Sequence, residues 1–217
     1  MNTRQRLISL GEFLLGAAIV IGHNVYHKVP NEVPILFVLG WISIRVRNGG
    51  WKSVGLKKPA SWWKTVAWAL VAAALITVLS DVVVAPLAEK HFGVRQESKG
   101  LATTTHSPVW VLEMLAVFWG FAAFGEEMGY RGYLLNRAAE IGNRSKAADL
   151  IALLLVSVLF GYGHYYKGYA GVIASSVSGL VLGAAYLLSR RNLWVSILAH
   201  GFRDTFAMVA ALWGWSN

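Results

Sequence analysis

The 217-residue sequence has no cysteine, five prolines and eleven acidic residues, and 14% of its residues are charged. Without cysteine there is no disulfide framework, no thiolate zinc site and no iron–sulfur cluster. A soluble domain carries about a quarter charged residues, so this composition argues against a water-exposed globular surface. Intrinsic disorder needs low hydrophobicity, whereas 56% of this chain is hydrophobic, with ten tryptophans. What the sequence has in abundance is uninterrupted apolar runs.

Seven such runs are present, at 7–26, 33–46, 63–88, 108–136, 147–166, 169–189 and 193–215. Most reach the ~20 residues a membrane helix needs. They predict an all-α, polytopic transmembrane helix bundle of about seven spans (six to eight), in one domain over 1–217. The second run is short and reads as re-entrant or interfacial. The first follows Arg4 and Arg6, as a signal peptide would. It runs long and shows no small-residue cleavage site before His27 and Lys28, so it reads as a retained helix. The polar stretch 89–107 is predicted to be an extramembrane loop. There is no internal or inverted repeat of the kind transporters carry.

The net charge of +9 is distributed by gap. Fourteen basic residues lie in the N-terminal tail and the even gaps: Arg4 and Arg6; Arg45, Arg47, Lys52, Lys57, Lys58 and Lys64; Arg131, Arg137, Arg144 and Lys146; Arg190 and Arg191. The odd gaps hold five: Lys28, Lys90, Arg95, Lys99 and Lys167. By the positive-inside rule the N-terminus and even gaps are cytoplasmic, which suits an integral protein of a bacterial inner membrane. The charge is topology and contact with anionic lipid. There is no phosphate-binding glycine loop and no basic–aromatic motif for nucleic acid. Trp41, Trp51, Trp62, Trp63, Trp110, Trp194, Trp213 and Trp215 fall near span ends, where amphipathic rings settle at headgroup level.

An ionisable side chain inside hydrocarbon is costly and marks a functional candidate. Three clusters qualify. In the first, Glu126 and Glu127 are adjacent inside an apolar run. Arg131 follows Glu127 by four residues on the same helical face, the favourable order for an ion pair. Glu126 points about 100° away and lacks an obvious local partner, the setting in which a general base is poised. In the second, Gly161 and Gly163 precede His164 and follow Phe160. Glycines there admit another backbone or a substrate. In the third, His200 and Asp204 are four apart, a spacing that orients an imidazole, binds a metal or faces a developing oxyanion.

Other polar residues in the spans carry less. Glu12, His23, Asn24, Asp81 and Glu113 are scattered singly without a partner at helical spacing. Ser175, Ser176 and Ser178 with Gly179 and Gly183 read as small-residue helix packing. There is no Gly-x-Ser-x-Gly elbow and no His-Glu-x-x-His zinc helix.

Taken together and in this order, the clusters resemble the CPBP family of intramembrane proteases. That family unites the CAAX prenyl endopeptidases with bacteriocin-processing and immunity proteins of the Abi type. Glu126, Glu127 and Arg131 match its Glu-Glu-x-x-x-Arg motif. Phe160 and His164 match Phe-x-x-x-His, and His200 and Asp204 match His-x-x-x-Asn/Asp. The resemblance covers the core at 108–215, and Gly55-Leu56-Lys57-Lys58-Pro59 is similar to the family's upstream linker. It implies an intramembrane endopeptidase acting on a membrane-associated or lipidated peptide or protein. Glu126 and His164 would activate a water, and His200 and Asp204 would stabilise the oxyanion. Glu127, Arg131 and Phe160 would support the site. Best-known prenyl-processing members have Asn where this chain has Asp204. An ionised Asp cannot donate a hydrogen bond, so either Asp204 is protonated or it orients His200.

The site is expected to work without a cofactor. The alternative is zinc or another divalent cation held by Glu126, His164 and His200 with an open water position. A different class of reading is a non-catalytic scaffold or a peptide-binding immunity protein of the same fold. The expected partners are the lipid bilayer and a peptide or protein substrate, not nucleic acid. The oligomeric state is left open.

Overall fold

A computed structural model describes residues 1–93 and 107–213. The predicted loop at 89–107 therefore falls mostly outside the described residues, as does Trp215. Every described element is helical. Seven rods follow one another: α1 (Thr3–Asn24), α2 (Glu32–Asn48), α3 (Trp62–Phe92), α4 (Pro108–Ile141), α5 (Lys146–Tyr162), α6 (Gly168–Leu188) and α7 (Leu193–Leu212). Five helical stretches are long and apolar enough to cross a membrane: α1, α3, α4, α6 with the turn before it, and α7. The second and fifth rods, at 17 residues each, fall slightly short of the ~20 residues of a typical span. The protein is an integral membrane helix bundle.

The helix ends follow local rules. Asn2 and Gln5 form a reciprocal capping box on α1. Asn31, Ser145 and Asn192 cap α2, α5 and α7 through their side-chain oxygens. Gly49, in left-handed backbone with φ of 79°, ends α2. Two rods depart from regular winding. Thr77–Val84 in α3, and Val117–Glu126 and Met128–Leu134 in α4, are π-helical, a geometry that recurs at functional sites.

The second half of α4 is the axis of the bundle, with residues 127–140 buried without a break. α1, α2, α5 and α6 surround it through a core that includes Phe13, Leu36, Met128, Leu134, Val156, Phe160 and Tyr186. A second cluster, with Ala69, Ile76, Leu182, Val195 and Ala199, joins α3, α6 and α7. The serine–glycine stripe of α6 packs as expected. A Cβ on Gly161 would run into the Val172 carbonyl and the Ser176 hydroxyl, so α5 and α6 touch backbone to backbone there.

Several basic residues gather at one end of the bundle. Arg6 donates to the Ile141 carbonyl at 2.7 Å. Arg137 reaches Glu12 at 2.7 Å and Glu140 at 2.8 Å. Arg144 reaches Glu140 at 2.9 Å, and Arg47 pairs with Glu12 and Glu140. Arg191 pairs with Asp149 at 2.7 Å and with Asn136. These contacts tie together the start of α1, the end of α2, the end of α4, the start of α5 and the residues after α6. Glu12 was expected to be a lone residue. It is instead a shared acceptor for two arginines and for Ser43, partners 31 to 125 positions away in sequence. Trp51 also differs from expectation: its ring stacks on Phe37 with centroids 6.0 Å apart and packs against the core.

Candidate active site

The three motif helices must bring their polar residues to one depth. At 1.5 Å per residue, Phe160 lies about 21 Å along α5, whereas His200 lies only about 10 Å along α7. The difference is absorbed at the start of α7, which is recessed. Leu193 and Val195 are fully buried. The Leu193 amide donates to the Gly55 carbonyl at 3.3 Å, and a Cβ on Gly55 would collide with the Arg191 carbonyl. The linker 49–61 thus covers the start of α7. α5 itself stops at Tyr162, and a short 3-10 turn, Tyr165–Lys167, leads into α6. The motifs converge: the Phe160 ring lies 4.9 Å from the His164 ring and 5.9 Å from that of His200.

Glu127 and Arg131 form a buried pair, Oε1 to Nη1 at 2.7 Å. The other Arg131 terminal nitrogen donates to the Gly179 carbonyl at 3.0 Å, and its guanidinium lies 4.4 Å over the Phe160 ring. Glu127 Oε1 also accepts from His200 Nδ1 at 3.0 Å. The second nitrogen of that ring, Nε2, is 3.4 Å from Asp204 Oδ2, which is long for a hydrogen bond. Asp204 Oδ1 accepts from Arg203 at 3.1 Å, and Arg203 forks onto both oxygens of Asp81 at 2.8 and 3.2 Å. The result is one line of alternating charge, Arg131, Glu127, His200, Asp204, Arg203 and Asp81, across α4, α7 and α3. Asp81 is not the isolated residue expected. Its partner lies 122 positions on, too far for helical spacing to show.

Glu126 stands apart from that line. Its Oε2 is buried without a hydrogen-bond partner, as are Glu127 Oε2 and Arg131 Nε, but of the three residues Glu126 alone lines a cavity. It shares the wall of a cavity of about 400 Å3 with His164, Gly163, Phe121 and Tyr166, and with His23, Asn24, His27, Asn31, Glu32 and Val33 from the end of α1 and the start of α2. His200 and Asp204 are not in that wall. Glu126 and His164 thus line the cavity, and His200, held by Glu127, packs beside them on the Phe160 ring. His164 Nδ1 is 3.0 Å from the Phe160 carbonyl. A carbonyl oxygen only accepts, so Nδ1 carries the hydrogen and Nε2 is left for another partner.

The α1–α2 wall was not anticipated. His23 and Asn24 were set aside as single residues and Glu32 was not singled out. His23 Nε2 lies 3.4 Å from buried Glu32, and its Nδ1 bonds the Val29 carbonyl at 2.9 Å. Glu113 is exposed on α4. Among the described residues no three His, Asp or Glu side chains are grouped as metal ligands would be.

No curated protein and no solved structure matches the chain. Residues 108–206 match the family described as type II CAAX prenyl endopeptidase Rce1-like. That stretch, just under half of the chain, holds Glu126, Glu127, Arg131, Phe160, His164, His200 and Asp204, and over it the chain is similar to the CAAX-type membrane proteases.

Proposed function

We propose that the protein is an intramembrane endopeptidase that hydrolyses a peptide bond in a membrane-associated or lipidated polypeptide, with a water activated by Glu126 and His164. The observation that carries this reading is that the two side chains share one cavity wall, and that Glu126 keeps a buried oxygen without a partner. Buried polar atoms are nearly always paired, so an unpaired one beside a cavity is suited to hold a reactant. Glu126 takes a proton from the water as its oxygen attacks the peptide carbonyl carbon. His164 Nε2 aligns that water while Nδ1 is anchored on Phe160. The proton then passes from Glu126 to the leaving amine as the carbon–nitrogen bond breaks.

His200 supports the developing oxyanion. Its Nδ1 donates to Glu127, so it is as the imidazolium, set between Glu127 and Asp204, that its Nε2 has a hydrogen to offer the oxyanion. In this reading no step is routed through a metal. In this reading the N-terminus and the arginine-rich end are cytoplasmic, in a bacterial inner membrane. Replacing Glu126 or His164 by Ala should abolish cleavage of a membrane substrate while membrane abundance stays at the parent level. The decisive comparison is a proteome of membranes from cells carrying the parent or Glu126→Ala chain. Normal cleavage by both Ala variants refutes the reading and favours a peptide-binding role.

A further inference from the structure

The cavity and the arginine-rich end lie at opposite ends of the bundle. α1 has 22 residues, about 33 Å at 1.5 Å per residue, close to the ~30 Å hydrocarbon thickness. Arg6 and Glu12, near its start, join the cluster with Arg47, Arg137 and Glu140. His23 and Asn24, at its end, line the cavity. The other helices repeat the pattern. α2 contributes Glu32 from its start to the cavity and Arg47 from its end to the cluster. α5 begins beside Arg144 and Asp149 at the basic end and finishes at Gly163 and His164 in the cavity wall. Three rods therefore agree on the direction.

The rim of the cavity is polar and exposed. His27, Asn31 and Tyr166 are exposed, while Glu32 behind them is 5% exposed. Among the described residues, no Lys or Arg lines the cavity. With Arg131 set aside in the site, the basic residues of the sequence are concentrated at the other end, thirteen against five. By the positive-inside rule that other end is cytoplasmic.

We infer that the site is entered from the non-cytoplasmic face of the membrane. Its substrate class is then an exported polypeptide held at the outer surface by a lipid or a span, not a prenylated C-terminus made in the cytoplasm. This inference rests on the catalytic reading above for the word substrate, but its sidedness stands on the charge partition and the cavity alone.

The chain has no cysteine, so a single introduced thiol reports one position. His27→Cys sits at the cavity rim, and Ala147→Cys sits exposed at the start of α5. Intact cells expressing each variant are treated with a membrane-impermeant maleimide, before and after permeabilisation. The expected result is labelling of position 27 in intact cells and of position 147 only after permeabilisation. The reverse pattern overturns the inference. In a second arm, one cleavable peptide is tethered to either side of a single-span anchor and co-expressed with the parent or Glu126→Ala chain. Glu126-dependent cleavage is expected to be at least tenfold greater for the outward peptide. Equal or preferential cleavage of the inward peptide overturns the substrate assignment. Expected labelling with neither peptide cleaved counts against the catalytic reading and leaves the sidedness standing.

Discussion

Glu126 and Glu127 are neighbours with opposite roles, and exchanging each for glutamine separates them. Glu127 is fully buried, and its Oε1 accepts from Arg131 at 2.7 Å and from His200 at 3.0 Å. Glu127→Gln keeps the shape but removes the charge that balances Arg131, itself fully buried. Removing one partner of a buried pair costs about 3–5 kcal/mol. With a tenfold change for every 1.4 kcal/mol, the folded-to-unfolded ratio falls by roughly 10² to 10³·⁵. A domain of ordinary stability holds only about 5–15 kcal/mol, so both the unfolding midpoint and membrane abundance should drop visibly. Glu126→Gln removes no protein hydrogen bond that the structure shows for its Oε2, and its unfolding free energy should stay within ~1 kcal/mol of the parent. Its cleavage activity should vanish, because an amide cannot take the water's proton. Equilibrium unfolding of both variants in one detergent, beside a cleavage assay, reads the two effects separately. Equal loss of stability in the two variants, or residual cleavage by Glu126→Gln, refutes the division of labour between these carboxylates.

Two further substitutions probe the surroundings. Asp204→Asn should retain activity. The amide oxygen can still accept from Arg203, where Asp204 Oδ1 now sits at 3.1 Å, and the amide nitrogen can itself donate to the developing oxyanion. Asp204→Ala should lose most activity, on the order of the 10²–10³-fold seen when an oxyanion donor is removed; equal turnover by the alanine variant and the parent removes Asp204 from the site. At the two glycines of the second motif, alanine should act in different ways. Gly161→Ala collides with the backbone of α6 and should lower the unfolding midpoint. At Gly163 the added Cβ meets the Tyr130 hydroxyl at 2.7 Å and Glu32 Oε1 at 3.5 Å, in the cavity wall, so Gly163→Ala should chiefly reduce cleavage. A melt and a rate on each variant suffice, and interchangeable behaviour contradicts the assignment.

What could be read from the sequence depended on how far each side chain's partner lies along the chain. The apolar runs gave the seven rods because a membrane helix is one continuous local signal. Glu127 with Arg131, and His200 with Asp204, were legible because residues four apart share a helical face, and the structure holds both pairs. The same rule left Asp81, Glu12 and His23 without visible partners. Theirs are Arg203 on α7, Arg47 and Arg137 on α2 and α4, and Glu32 across a turn. Which helices adjoin is fixed by packing, and no spacing within one sequence states it. Depth was hidden for a similar reason. Equal entry depths for α5 and α7 would leave Phe160 and His200 about 10 Å apart along the membrane normal. The cover that Gly55 places over the start of α7 removes that offset. The linker 49–61 thus bears on the site without contributing a side chain to its cavity. It sets how deep His200 lies, and so whether the imidazole meets Glu127 beside Glu126.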